Sequence, residues 1–359
     1  MLLAACTTQA DPPDATRAEP ALRPGERVVD VAMPAAYEPT ARGTGTDDYR
    51  CFLLDPRIEE DAFVTGVDVV PGHDDVVHHV ILFRVPPGEV ADAEARDAAD
   101  PGQGWTCFGG SGLGGEEVTL ENAPWLGAWA PGSGERALAD DIGIPIEGGS
   151  RIVMQVHYNL FAGSPPDRSR ARLRLTDGDR DLEPLETMLL PAPVELPCRP
   201  GEAGPLCDRG AAIGDVVSRF GLASGAALAG LQLFCGDDRG VDPGPTQSCR
   251  HSVQQPATIR GAAGHMHLLG RSIRIRVNPD SDARTVLDIP VWDFDDQGTR
   301  TLDRPVRIAP GDELEVTCTH DQGLRDLLPA FEGQPERYVV WGEGTTDEMC
   351  LGLLLVTRP

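Results

Sequence analysis

Along much of the chain, apolar and polar residues alternate in short runs separated by turn residues. Ala62-Phe63-Val64-Thr65-Gly66-Val67-Asp68-Val69-Val70 follows a period of two. Val76 to Val85, Arg151 to Tyr158, Ala262 to Leu269, Ser272 to Val277, Glu313 to Thr319, Tyr338 to Trp341 and Met349 to Val356 are also strand-like. Such alternation points successive side chains to opposite faces of a sheet. No long amphipathic helix is legible, and no apolar run is long enough to span a bilayer. With 41 Gly and 32 Pro to form turns, the pattern predicts an all-β protein of antiparallel sandwiches or jelly rolls. A length of 359 residues suits two such domains, since one sandwich takes about 100 residues. They are placed at 27–180 and 181–359, meeting in the acidic stretch Asp177 to Glu183. Residues 1–26 are read as a lipoprotein signal remnant and a Pro/Ala/Asp-rich disordered tether.

Charge narrows the possible partners. The 57 acidic and 31 basic residues leave a net charge of −26. This balance argues against binding nucleic acid or an anionic membrane surface through charge, and favours attraction of cations. Leu3-Ala4-Ala5-Cys6 resembles a bacterial lipobox, so membrane contact is expected only through a lipid anchor on Cys6. The expected setting is periplasmic or at the cell surface, and the expected state is a monomer. Eight further cysteines, at 51, 107, 198, 207, 235, 249, 318 and 350, form an even set that reads as a disulfide framework in an exported chain. None lies in the paired spacing of a zinc ribbon. The glycine loop from Gly109 to Gly115 lacks a strand-turn-helix context and is not read as a phosphate loop.

The histidines carry the candidate chemistry. Of eight, five sit in apolar, β-rich stretches: His78 and His79 in Val77-His78-His79-Val80-Ile81-Leu82-Phe83, His157 in Gln155-Val156-His157-Tyr158, and His265 and His267 in Gly264-His265-Met266-His267-Leu268-Leu269-Gly270. Residues i and i+2 of a strand share a face, so His265 and His267 can approach one metal ion. Adjacent His78 and His79 can do so only at a bulged or twisted strand end, which Gly72-His73-Asp74-Asp75 just before them could supply. A buried neutral ring also needs some specific partner, so hydrogen-bonded structural histidines are the competing reading. His73, His251 and His320 lie in polar, turn-like contexts and read as surface or loop histidines. Met349, in Asp347-Glu348-Met349-Cys350, would ordinarily be core filler. Beside two imidazoles its thioether completes a soft set suited to Cu(I).

In this order, the four motifs resemble the type II copper, ascorbate-dependent monooxygenases, the family of peptidylglycine α-hydroxylating and dopamine β-monooxygenases. The resemblance implies two antiparallel jelly-roll β-sandwich domains and two copper ions, one on each domain. His78, His79 and His157 would hold an electron-transfer copper, and His265, His267 and Met349 the catalytic copper that meets dioxygen, across a solvent-filled cleft. The implied reaction hydroxylates a C–H bond of a small organic substrate, with O2 as co-substrate and ascorbate as the one-electron reductant. The resemblance also implies disulfides Cys51–Cys107 and Cys318–Cys350. For the remaining four cysteines, which allow three pairings, Cys198–Cys207 and Cys235–Cys249 are expected because each closes a short loop. Where the peptide-amidating branch carries Arg, Asn and Tyr for a substrate carboxylate, this chain has Ala263, Leu351 and Leu353. A peptidylglycine substrate is therefore not expected, and a neutral or aromatic small molecule is. A non-catalytic copper-binding or copper-carrying lipoprotein is the alternative.

Overall fold

The computed structural model describes residues 21–41, 45–113, 120–237 and 240–359. Cys6, the first part of the tether, and Gly114 and Gly115 of the glycine loop lie outside them. The described chain is mostly β, and two sheet regions dominate it.

A nine-stranded sheet spans the molecule. Its order is Arg27–Ala32, Arg170–Asp177, Ala62–Val70, Ile142–Ile146, Glu183–Pro191, Leu351–Thr357, Ala257–His265 and Arg300–Ile308, with Arg136–Ala137 alongside Ala62–Val70. Neighbours are antiparallel except at the junction of the two halves, where Glu183 and Pro184 pair in parallel with Ile142 and Gly143. The acidic stretch expected to act as a linker thus leads directly into this junction.

Each half adds a second sheet whose apolar face shares a core with the long one. In the first half the added sheet runs Trp105–Thr106, Asp47–Leu54, Arg151–Asn159, Val77–Val85 and Trp125–Trp129. Its Phe52, Leu82 and Met154 join Val64 and Leu173 of the long sheet in one buried cluster. In the second half the added sheet runs Thr246–Ser252, Glu313–His320, Gly270–Val277 and Arg284–Ile289. There Ile273, Ile275 and Val316 pack with Ile259, Leu354 and Val356. Burying each such side chain contributes roughly 1.5–3 kcal/mol, so the two cores hold the strands that carry the histidine motifs. Close approach explains one conspicuous glycine: a Cβ on Gly264 would lie 2.7 Å from the Ile273 side chain. A larger residue beside His265 would push the sheets apart.

The chain forms helices where the sequence reading expected none of note. Val90–Ala99, Arg209–Phe220 and Leu222–Cys235 are helical. Arg209–Phe220 has a clear local cause: Asp208 caps it by accepting from the Ala211 N–H at 2.8 Å, and Ala212, Val216 and Phe220 bury one stripe. Leu222–Cys235 contains no charged residue, so apolar periodicity could not reveal its buried side. The strand expected to begin at Met349 begins instead at Leu351.

All four expected disulfides form: Cys51–Cys107, Cys198–Cys207, Cys235–Cys249 and Cys318–Cys350. Such a framework belongs to an oxidising, extracytoplasmic compartment.

Candidate metal centre

Backbone register brings the first three histidines together. In the pairing of Val77–Val85 with Arg151–Asn159, Val77 lies opposite Tyr158 and His79 opposite His157, leaving His78 as the extra residue of a bulge. The distortion therefore falls on the histidine pair itself. It cancels the strict alternation that would send adjacent rings to opposite faces. Ligand atoms of His78, His79 and His157 lie within 4.8 Å of one another.

The second pair forms differently. His265 is the last residue of Ala257–His265, and His267 lies beyond the strand end, yet their ring centroids are 5.1 Å apart. Period two accounts for the direction of His265 only; the turn from His267 to Gly270, closed by Gly270 N–H donating to His267 O at 3.2 Å, sets the other ring.

The two groups meet, whereas the resemblance implied a solvent-filled cleft between them. His78 is 5.7 Å from His267 and His79 is 5.6 Å from His265, ring centre to ring centre. The connection between Arg284–Ile289 and Arg300–Ile308 closes over this contact. Phe294 stacks on His78 at 4.8 Å and 9°. Gln297 Oε1 accepts from His265 Nδ1 at 2.7 Å, and the Gln297 N–H donates to Pro131 O at 3.4 Å. At the point of contact Gly132 has φ 79°, and a Cβ there would sit 2.4 Å from Asp295 O; only glycine suits both demands.

Partners fix which nitrogen each ring offers. Asp47 Oδ1 accepts from His157 Nε2 at 2.9 Å, so His157 Nδ1 carries a lone pair, directed at His78 Nδ1 2.8 Å away. Gln297 holds the hydrogen of His265 on Nδ1, and Asp347 O accepts from His267 Nδ1 at 3.3 Å. Those two rings are left to offer Nε2. Buried His78 Nε2, His79 Nδ1 and His267 Nε2 have no hydrogen-bond partner. An unpaired buried polar atom costs roughly 1–3 kcal/mol, and three in one cluster fit a site whose remaining partner is a metal ion.

Electrostatics keep His78, His79, His157 and His265 neutral. Burial, reinforced by the neighbouring histidines, holds His78 and His79 well below the ordinary imidazole range. Burial and His267 bring His265 down to about 3. Burial also lowers His157, although the bond to Asp47 opposes the shift. Asp47 is pushed up by burial, yet His157 and Thr345 outweigh this and leave it below the usual carboxylate value. Neutral imidazole is the form that ligates metal. Tyr49 stacks on His157 at 3.9 Å and donates its hydroxyl to Glu343 O at 2.7 Å.

Met349 is buried and tied to the second pair through its neighbour. Glu348 Oε2 accepts from the His267 N–H at 3.0 Å and from the Met349 N–H at 3.2 Å, while Oε1 accepts from the Leu269 N–H at 2.5 Å. One fully buried carboxylate therefore fastens the Met349 segment to the histidine turn. Asp347, just before it, receives a bidentate pair from Arg219 at 2.7 Å and a third bond from Arg337 at 2.9 Å. The helix Arg209–Phe220 thus contributes Arg219 to the loop that precedes Met349.

Two histidines correct the sequence reading. His320 is 1% exposed, at the end of Glu313–His320, with Nε2 3.3 Å from Met349 O and 3.4 Å from Glu348 Oε2. His251 is 7% exposed and donates Nε2 to Pro191 O at 2.9 Å. Both lie on strands whose polar neighbours face outward, which made the segments look turn-like. His73 stays part-exposed on a turn with Asp74 and Asp75. Asp47 and Gln297, which hold rings, drew no attention in the sequence, and Glu348, which holds backbone, stood in the Met349 motif without a role. Asp47 and Gln297 are distant in the chain from the rings they hold, and no local pattern marks them.

The fold and site define a mostly β, disulfide-braced protein with a buried histidine cluster able to take a metal. Residues 246–355 match the family described as "Copper type II ascorbate-dependent monooxygenase, C-terminal domain". That segment holds His265, His267 and Met349; the first three histidines precede it. No curated protein matches the chain. Among solved structures, a Paenibacillus xanthan lyase is 10% identical with a TM-score of 0.20, covering 99% of this chain and 28% of its own. Allantoicase is 11% identical with a TM-score of 0.19, covering 89% and 90% respectively. Likenesses this slight do not bear on the chemistry.

Proposed function

We propose that the protein is a copper-dependent monooxygenase that hydroxylates a C–H bond of a small organic molecule, using O2 and ascorbate or another one-electron donor. The observation carrying this reading is the five-histidine cluster, three rings buried and two part-buried, with partnerless ring nitrogens, two of the five lying in a segment that matches a copper monooxygenase domain. In this reading His78, His79 and His157 hold one copper, and His265, His267 and Met349 hold another. Bound copper would supply the one-electron and O2 chemistry. The chain's own residues orient the rings through Asp47, Gln297 and Asp347 O, and Phe294 covers His78.

The surroundings of His265 favour a neutral substrate. Ala263 pairs with Leu353 and His265 with Leu351, so these side chains share one face of the long sheet. Leu351 and Leu353 stay partly exposed, and no basic residue stands among these positions to receive a carboxylate. The same reading has the chain exported and tethered through Cys6, acting on a small molecule as a monomer.

Metal analysis of the purified chain, followed by ascorbate-dependent O2 uptake with candidate substrates, tests the proposal. Copper binding with substrate-stimulated uptake and hydroxylated product is expected. Copper binding without turnover on any neutral or aromatic candidate would favour the copper carrier, and absence of copper binding would overturn both.

A further inference from the structure

We infer that Asp47 and Thr345 form a positioning strut that sets the donor strength of His157 and links it to the loop preceding Met349; the inference rests on the copper reading above. Neither residue offers an atom to the proposed metal. Their geometry is nevertheless too costly to be incidental, because a buried carboxylate needs several good donors to offset its lost hydration.

Asp47 is 8% exposed and opens the strand Asp47–Leu54. Its Oδ1 accepts three hydrogen bonds: His157 Nε2 at 2.9 Å, Thr345 N–H at 3.0 Å and the Thr345 hydroxyl at 2.6 Å. Thr345 is fully buried and lies 298 residues away in sequence. It precedes Asp347-Glu348-Met349 in a loop that is itself clamped, since Gly344 N–H donates to Asp347 Oδ2 at 3.1 Å while Arg219 and Arg337 hold the same carboxylate. A Cβ on Gly344 would lie 2.8 Å from Asp347 Oδ2 and 3.2 Å from Asp47 Oδ2, so the loop is drawn in close to both acids.

The chemistry follows from three donors sharing one oxygen. A carboxylate that accepts from one imidazole nitrogen makes the other a stronger donor to metal. Each competing donor on that oxygen weakens this effect. Asp47 therefore strengthens His157 Nδ1, and Thr345 moderates Asp47. Because Thr345 belongs to the Met349 loop, a shift of that loop alters the ring of the other histidine group. The strut gives the two groups a physical connection through hydrogen bonds, independent of the ring contacts.

The test uses the full chain carrying His267→Ala, so that the three-histidine group is the copper site observed. Copper affinity and the Cu(II)/Cu(I) midpoint potential, followed by electron paramagnetic resonance, are compared with Asp47→Asn or Thr345→Val added. Asp47→Asn keeps an acceptor oxygen and loses the charge. It should weaken Cu(II) binding about 10–100-fold and shift the potential upward. Thr345→Val keeps the branched shape and removes one competing donor, so the potential should shift downward. A bracing role alone gives no reason for opposite signs. Shifts of the same sign, or no shift in either variant, would overturn the inference while leaving the copper reading standing. A parent protein that binds no copper would overturn the inference, and absence of copper from wild type as well would overturn both. If Asp47→Asn fails to fold, the Thr345→Val potential decides alone: a downward shift supports the strut, and an upward or absent one overturns it.

Discussion

The two histidine groups are built on opposite plans. In the first, three rings come from two paired strands of one sheet, a bulge corrects their direction, and a buried carboxylate backs His157. In the second, one ring ends a strand, the next follows in a turn, and the third proposed ligand comes from a distant loop fastened by Glu348. An amide oxygen and a backbone carbonyl back these rings instead of a carboxylate. A carboxylate-backed ring is the stronger donor and favours the oxidised metal, whereas neutral partners and a thioether favour Cu(I). The difference suits the proposed division between relaying electrons and meeting O2.

The largest expected effect falls on the second group. His267→Ala or Met349→Ala should abolish hydroxylation and leave near-UV circular dichroism unchanged. Full turnover by purified Met349→Ala protein would remove the thioether from the site.

The fastening of that group should matter to stability more than any exposed ion pair. Glu348→Ala leaves the backbone N–H groups of His267, Leu269 and Met349 without their acceptor. At roughly 1–3 kcal/mol for each buried donor, several kcal/mol should be lost in urea unfolding. A loss below about 1 kcal/mol would mean that water or relaxation replaces the carboxylate.

Replacing both Cys318 and Cys350 with Ala should cost somewhat less. The bridge closes a separation of 32 residues, for which chain entropy gives about 3–4 kcal/mol. Copper retention by the second group should fall with it, because Cys350 follows Met349. Unaltered retention in the reduced-temperature folded protein would show that Glu348 alone positions the segment.

A control outside both groups tests the neutral-ring account. Burial holds His251 down to about 4 despite its bond to Pro191 O. A depressed folded value means that its contribution is fully present above the unfolded value and is lost as pH falls through the folded one. The window therefore runs from pH 6.5 down to about 4. Wild type should lose about 3 kcal/mol across it relative to His251→Gln. Parallel stability curves for the two proteins would place His251 in a hydrated setting.

Much of this was legible in the sequence, in proportion to how local the cause is. The strands around His78, His157 and His265 announced themselves by alternation. The need for a bulge at His78-His79 followed from the two-residue period alone. The burial of His251 and His320 was not legible, because each strand exposes its polar partners and hides the ring. Helix Leu222–Cys235 escaped because its uncharged, largely apolar composition weakens the contrast on which periodicity depends. Asp47 and Thr345 were unreadable for a different reason: their bond joins opposite ends of the chain, and only the assembled sheets bring them together.

The most direct test of two separate groups is copper stoichiometry after each is broken in turn. Wild type, His157→Ala and His267→Ala are loaded with copper, desalted and assayed per chain. The account predicts two coppers in wild type and one in each variant, with distinct Cu(II) spectra for the survivors: that of the carboxylate-backed site in His267→Ala and that of the remaining site in His157→Ala. A single copper in wild type, lost completely in either variant, would show that all five rings serve one metal and would contradict the division of roles.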